Sequence, residues 1–351
     1  AVQTCRIYHN EPTVEIEWTV GPVPVNQDQM GKEIMSKFIT KNLNSGPTGR
    51  NSVYTDSNGR EFQHRMLNYR PTWDLQVHEP VAGNFYPITT AMYIKGDLNT
   101  PSSTSTHDSS KQKAQLSILV DRAQAGASLH SGEMEFMIHR RLLADDFRGV
   151  GEALNETVGG ISPYPEWQRS GEGIIVSGKQ KLLLSSEKNG MKELRTQIDK
   201  MYLQPTILNQ KVNDNANSDT SNIMSLGKGL GYDLPVNVHL MTLTPKIDGT
   251  LLVRLAHQFA VDEDEELSKP VTINLMELLK PYGIIEGSMQ EWTLSHNQLK
   301  ETQLKNKIYW SEMNNDSQED NDFEKEGDYR TMNIVLKPMQ IRTFTLKTAS
   351  K

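Results

Sequence analysis

LLVRLAHQFAV, residues 251–261, alternates along its whole length: Leu251, Val253, Leu255, His257, Phe259 and Val261 share one parity. A pleated backbone sends successive side chains to opposite faces, so this period of two predicts a strand with one packed face. The same reading extends outward along the chain. VEIEWTV (14–20) sets Val14, Ile16, Trp18 and Val20 against Glu15, Glu17 and Thr19. Leu116, Ile118 and Val120 repeat the pattern, as do Val236, Val238 and Leu240. GEMEFMIHRRLL (132–143) points Met134, Phe136 and Ile138 one way, and a last strand runs through MQIRTFTL (339–346). These segments predict an all-β fold of half-buried antiparallel strands.

One segment changes period. Leu194, Ile198, Met201 and Tyr202 recur at helical spacing, which predicts a short amphipathic helix over about 190–203. Pro205 stops it, and the serines and Asn189 ahead of it can cap its free N–H groups. Three polar stretches, at 97–113, 209–222 and 311–328, lack the apolar surface needed to order themselves and read as solvated loops. The middle one divides the chain on this reading: a large β domain over 1–208, a polar linker over 209–225, and the remaining strands over 226–351.

Composition narrows the function classes. The 351 residues suffice to bury a sizeable core, and the formal charge is −7. With no Lys/Arg run or basic stripe, neither nucleic acid nor an acidic membrane surface is an expected partner. The longest apolar runs are far too short to cross a bilayer. The chain opens on Ala1-Val2-Gln3-Thr4 and soon enters an alternating strand, which suggests a proteolytically processed piece of something longer. Cys5 is the only cysteine, so no internal disulfide can form, and a small buried thiol is its simplest role. Asn155-Glu156-Thr157 and Asn315-Asp316-Ser317 fit the N-glycosylation pattern within loop-like stretches, which points to folding in the secretory pathway.

A search for chemistry returns little. The nine histidines form no H-E-x-x-H, H-x-H or H-x-D pattern, so no local metal motif is legible in this chain. His257, on the apolar face of its strand, reads as a hydrogen-bonded core histidine. GKGLGYD (227–233) leads into a strand, whereas a phosphate cradle needs a following helix. The best candidate is the loop ADDFRGVGEALNET (144–157). Two catalytic carboxylates of a glycosidase must flank a scissile bond roughly 5–10 Å apart, and the adjacent Asp145 and Asp146 suit that poorly. Such neighbours more often cap their turn or pair with Arg140 or Arg141. Gly149 and Gly151 suggest instead a main chain that needs unusual dihedrals or approaches a ligand closely.

Several long blocks resemble the C-terminal half of lysosomal-type α-mannosidases of glycoside hydrolase family 38. They are EIEWTVGPVPV (15–25), YTDSNGREF (54–62), NYRPTWDLQVHEPVAGNFYPITTAMYI (68–94) and LVDRAQAGASLHSGEMEFMIHRRLLADDFRGVGEAL (119–154). LPVNVHLMTLTP (234–245), LVRLAHQFAVDED (252–264) and PMQIRTFTL (338–346) continue the match in collinear order, with a lean toward the plant vacuolar branch. The resemblance implies a large antiparallel, supersandwich-like β-sandwich followed by a smaller β domain. It also implies a zinc ion and a retaining nucleophile, both held by an upstream catalytic portion, with no catalytic or metal residue in this chain. Cleavage between the halves, with the pieces staying associated, is a habit of the family. The edge strand at the start of this chain would then pair with the upstream partner.

For the loop, the resemblance implies a place at the substrate rim for Asp145, Asp146, Arg148 and Gly149, with the Arg148 carbonyl meeting the mannose hydroxymethyl group. Many relatives carry glycine where this chain has Phe147, so a positive φ there would alter the picture of the turn. The implied enzyme trims terminal α-mannose from N-glycans in a vacuole or lysosome, as a higher oligomer of a two-chain unit. The alternative is a free-standing carbohydrate-binding β-sandwich without catalysis. A free module migrates near its own chain mass of 39.7 kDa, whereas a subunit co-elutes with a larger chain.

Overall fold

The alternating segments pair as antiparallel strands, and the fold is all-β as the periodicity predicts. A computed structural model describes every residue except 26, 27, 29, 41, 42, 45–50, 99–112, 150, 159–172, 208–228, 309–326, 350 and 351. It contains two compact units, Ala1–Gln204 and Pro205–Lys351. The linker expected at 209–225 lies outside the described residues, as do most of the other two polar stretches.

In chain order the first unit holds β1 (Val2–Ile7), β2 (Thr13–Val20), β3 (Lys32–Ile39), β4 (Leu43–Asn44), β5 (Ser52–Asp56) and β6 (Phe62–Met66). It continues with β7 (Tyr86–Ile88), β8 (Ala91–Leu98), β9 (Lys113–Val120), β10 (Gln124–Ala127), β11 (Glu133–Arg141) and β12 (Val176–Ser186). One sheet runs in the order β1-β2-β12-β9-β8-β5-β6, with β4 also paired to β8, and a second runs β3-β11-β10-β7. Between them Met92, Ile94, Ile118 and Val120 of the first sheet meet Ile88, Met134 and Phe136 of the second. Each such side chain, fully removed from water, contributes about 1.5–3 kcal/mol.

β9 departs from the half-buried expectation, because every residue from Ala114 to Val120 is buried. The cause is the helix α1 (Glu187–Tyr202), which covers the other face of the first sheet: Met191, Leu194 and Ile198 pack with Leu119 and Leu183. The helix begins three residues earlier than its periodicity suggests. Ser186 is its cap, accepting from the Asn189 N–H at 3.4 Å, so Asn189 belongs to the first turn rather than to the cap. Tyr202 closes the helix with its hydroxyl donating toward the carbonyls of Val120 and Thr89, and burial pushes that phenol up to about 12.

The crossover from β7 to β8, which changes sheets, is pinned by one side chain. Asp56 is wholly buried at the end of β5 and accepts from the N–H groups of Thr89 (3.1 Å), Thr90 (3.0 Å) and Ala91 (3.1 Å), and from the Thr90 hydroxyl (2.9 Å). Replacing it by Ala strands those donors away from water, at a cost of about 3 kcal/mol. We expect Asp56→Ala to lower the unfolding free energy from urea titration by that amount and Asp56→Asn by less, since the amide keeps one acceptor. Equal, small losses in both variants would show that solvent reaches the turn.

The second unit is a smaller sandwich. Its strands are β13 (Val238–Pro245), β14 (Thr250–His257), β15 (Val271–Asn274), β16 (Gln290–Trp292), β17 (Gly327–Asp328), β18 (Asn333–Leu336) and β19 (Ile341–Lys347). They form the sheets β13-β14-β19-β16 and β15-β18-β17. Leu251, Val253 and Leu255 face Ile273, Ile334 and Leu336 across the core, with Leu275 and Leu278 of the short helix α2 (Leu275–Leu278) between them. The alternation of 251–261 thus holds to His257 at the end of the strand; Gln258 and Phe259 are both buried, and Val261 is 71% exposed, contrary to its parity. His257 is buried with Nε2 3.0 Å from the Lys269 carbonyl, as a core histidine should be. Of the glycines in 227–233, Gly231 has a packing reason: a Cβ on it would stand 1.9 Å from the Glu277 carbonyl oxygen, whereas one on Gly229 meets nothing within 4 Å.

At the edge of the first sheet β1 is almost entirely exposed. Cys5 is exposed with it, which corrects the expectation of a buried thiol.

Candidate functional site

The loop 142–158 is built by a defect in β11. Up to Met137 the strand pairs regularly with β3, but the register then shifts so that Ile138 is an extra residue, and His139 pairs with Ile34. A bulge reverses the parity of everything after it. Met134 and Phe136 point inward before it, and Arg141 points inward after it, only 3% exposed. Alternation alone cannot locate that reversal, so the sequence left Arg141 unassigned to the interior.

Arg141 closes the neck of the loop. Its Nε donates to the Asn155 Oδ1 at 2.7 Å, and a terminal nitrogen donates to the Val23 carbonyl at 3.0 Å. The Leu142 N–H reaches the Leu154 carbonyl at 3.0 Å beside it. Asn155 is 2% exposed, its Oδ1 accepting from the guanidinium. Asn315 lies outside the described residues.

Beyond the neck the chain runs out into solvent. Asp145 and Asp146 bond to neither arginine: Asp145 accepts from the Phe147 N–H and Asp146 from the Arg148 N–H, both at 3.1 Å. These are turn-capping contacts. Arg140 instead pairs with Glu33 at 3.0 Å, and the exposed Arg148 guanidinium lies 3.6 Å from Glu79 in the segment preceding β7. The aspartates thus take the turn-capping role, one of those expected of them, and do not pair with Arg140 or Arg141.

Two residues carry the unusual dihedrals. Phe147 has φ +58° and Gly151 has φ +69°. Gly149 does not, and a Cβ built on it meets nothing within 4 Å, so its freedom is unused within this unit. The left-handed conformation at Phe147 costs about 1–2 kcal/mol relative to glycine. It turns the phenyl ring wholly outward, 94% exposed. Among the described residues no three His, Cys, Asp or Glu side chains gather into a group that could hold a metal ion.

Residues 1–148 match the family model of the glycosyl hydrolases family 38 C-terminal domain, and residues 237–344 match that of the family 38 C-terminal beta sandwich domain. The chain is 37% identical to the lysosomal alpha-mannosidase of Homo sapiens over 345 residues, covering 97% of this chain and 30% of that protein. It is 36% identical to an alpha-mannosidase of Arabidopsis thaliana over 350 residues, covering 98% of this chain and 31% of the relative. With the alpha-mannosidase of Canavalia ensiformis the identity is 35% over 349 residues, and the shares are 98% and 32%. The chain therefore spans about a third of the length of these curated relatives. Matched in both of its units and almost from end to end, the chain belongs to glycosyl hydrolase family 38, whose C-terminal domains it comprises.

Proposed function

We propose that this chain is the C-terminal portion of a zinc-dependent, retaining α-mannosidase that removes terminal α-mannose from N-glycans. Its partner is the upstream catalytic portion of the same precursor, assembled as a higher oligomer of the two-part unit. The compartment is a vacuole or lysosome reached through the secretory pathway, with Asn155 and Asn315 as glycan acceptors. The observation that carries the reading is near-complete coverage of this chain against under a third of a lysosomal alpha-mannosidase. The missing two thirds has room for the catalytic apparatus. Zinc, when bound, supplies Lewis-acid chemistry and substrate orientation. In this reading the upstream portion holds the ion; among the described residues of this chain no three His, Cys, Asp or Glu side chains gather to bind one, and no step runs through it here.

This chain's own contribution is the loop 142–158. In the proposed reading its tip lies at the substrate rim, and the Arg148 main-chain carbonyl accepts from the mannose hydroxymethyl group. The Arg148 side chain is not needed for that, since its guanidinium is exposed and sits only loosely on Glu79. The Asp145 and Asp146 carboxylates hold the turn that presents the carbonyl, and Gly149 leaves it unobstructed.

The test uses the full-length enzyme. Arg148→Ala is expected to leave kcat/KM for an α-mannoside within about threefold, the scale of an exposed ion pair. Gly149→Pro removes an N–H and drives Arg148 toward extended backbone, so a loss of roughly a hundredfold is expected from misplacement of the carbonyl. Equal, severe losses would assign the role to the guanidinium instead. A full-length protein that cleaves no α-mannoside would remove the reading altogether.

A further inference from the structure

Seven non-glycine residues in the described chain have positive φ: Asn10, Asn68, Phe147, Asp262, His296, Met332 and Met339. Asparagine and aspartate tolerate that region through their short polar side chains, and bulky residues there are outliers. Met332 is wholly buried and Met339 half-buried, so their side chains gain packing in return. Phe147 gains none. It belongs to none of the three buried clusters, and its ring is almost fully in water. Strain retained with no internal compensation marks a position whose use is external.

The surroundings narrow that use to one ligand chemistry. The ring is flanked along the chain by Asp145, Asp146 and Arg148, and Arg148 leads to Glu79. Glu79 in turn lines a shallow groove with Val77, His78 and Gly83, where Val77 is 42% exposed, and nearby Val81 is 56% exposed. An apolar face bordered by hydrogen-bonding and charged groups complements a pyranose, which offers a C–H face and a rim of hydroxyls. The turn is also held locally, one oxygen of each carboxylate accepting from its own N–H groups. A platform fixed before binding loses little entropy on stacking.

We infer that Phe147 is a substrate-binding residue that stacks on the sugar next to the mannose being released, on the leaving-group side, with Glu79 and Arg148 at the hydroxyl rim. This deepens the proposed function and rests on it, because the loop must lie at the substrate rim. It assigns an oligosaccharide preference to a single exposed side chain of the C-terminal portion.

The test again uses the full-length enzyme, with two substrates that share the reacting mannose. α-Mannosyl fluoride has no second sugar, whereas an α-linked mannobiose has one. Phe147→Ala should raise KM for the disaccharide about fivefold to tenfold, the range of one lost aromatic contact. It should leave the fluoride kinetics unchanged. Phe147→Trp should keep the disaccharide KM at or below that of the parent. Phe147→Gly should match Phe147→Ala in KM while unfolding at a higher temperature, because the backbone strain is relieved. A disaccharide KM unmoved by Phe147→Ala overturns the inference and leaves the mannosidase reading standing. So do equal KM increases for both substrates, which would trace Phe147 to loop geometry or to contact with the upstream portion. A parent enzyme that cleaves neither substrate overturns the mannosidase reading, and the stacking site falls with it.

Discussion

Supplied with zinc and an α-mannoside, the isolated 351-residue chain is expected to release no mannose above the uncatalysed rate. Retaining hydrolysis needs two carboxyl groups about 5–5.5 Å apart on opposite sides of the glycosidic bond, one as nucleophile and one as acid–base. The most prominent carboxylates of the candidate loop cannot take those roles, because Asp145 and Asp146 are neighbours committed to the N–H groups of Phe147 and Arg148. A rim carbonyl and a stacking ring add binding energy, but neither transfers a proton nor attacks carbon. What is missing is therefore the whole enhancement, at least about a millionfold for an enzyme-catalysed reaction. The assay needs a parallel urea titration showing cooperative unfolding, so that inactivity is read from a folded chain. Adding the upstream portion to the same sample should bring zinc-dependent turnover back. Measurable zinc-dependent turnover by the chain alone would place the nucleophile and metal ligands within these residues and reverse the division of labour.

The contrast between β14 and β11 shows what the sequence makes legible. In β14 the period of two survives into the structure because its pairing with β19 is unbroken and the register shift against β13 puts the extra residue, Met241, on β13. In β11 one extra residue at Ile138 inverts the pattern, and a bulge leaves no mark in residue type. The inward turn of Arg141, the burial of Asn155 and the clamp between them all follow from that residue, and all were invisible. β9 failed differently. Its alternation of Leu116, Ile118 and Val120 is real, but the face expected to meet water is covered by a helix remote in sequence. Glu15 shows the same limit: its parity puts it outside, yet it is 7% exposed, with Lys179 from β12 at 3.3 Å and the Tyr8 hydroxyl at 3.3 Å. Of the candidate site, the loop and its backbone character were legible from the glycines and paired aspartates. The left-handed residue was not, because phenylalanine carries no local signal for positive φ.

Glu291→Ala is expected to destabilise the second unit by roughly 3–5 kcal/mol, the cost of leaving a buried charge without its partner. Arg342 is almost inaccessible on β19, and Glu291 on β16 answers it with both oxygens, at 2.8 Å from Nε and 2.6 Å from a terminal nitrogen. The second terminal nitrogen donates to the Val335 carbonyl at 2.8 Å, and the Tyr329 hydroxyl bonds both Glu291 and Arg342. That geometry is bidentate and fully satisfied, which makes the pair costly to break from one side. It also joins the two sheets of the small sandwich, since β16 and β19 lie in one while Val335 lies on β18 of the other. Tyr329 reports on the same cluster: burial, then its bond to Glu291, pushes the phenol above its ordinary value. The folded state thus holds that proton after the unfolded chain has lost it, so this contribution to stability is present below about pH 10 and fades as pH rises further. Arg342→Met should cost as much as Glu291→Ala, by stranding the carboxylate instead. The double variant Glu291→Leu with Arg342→Met should recover most of the loss, because two packed apolar side chains avoid the desolvation of both charges. Urea titrations of the parent, Glu291→Leu, Arg342→Met and the double variant give the coupling energy directly, and it should exceed about 2 kcal/mol. Additive losses in the double variant would mean that each charge is held by solvent or by other partners, and that the pair is incidental to the cohesion of the sandwich.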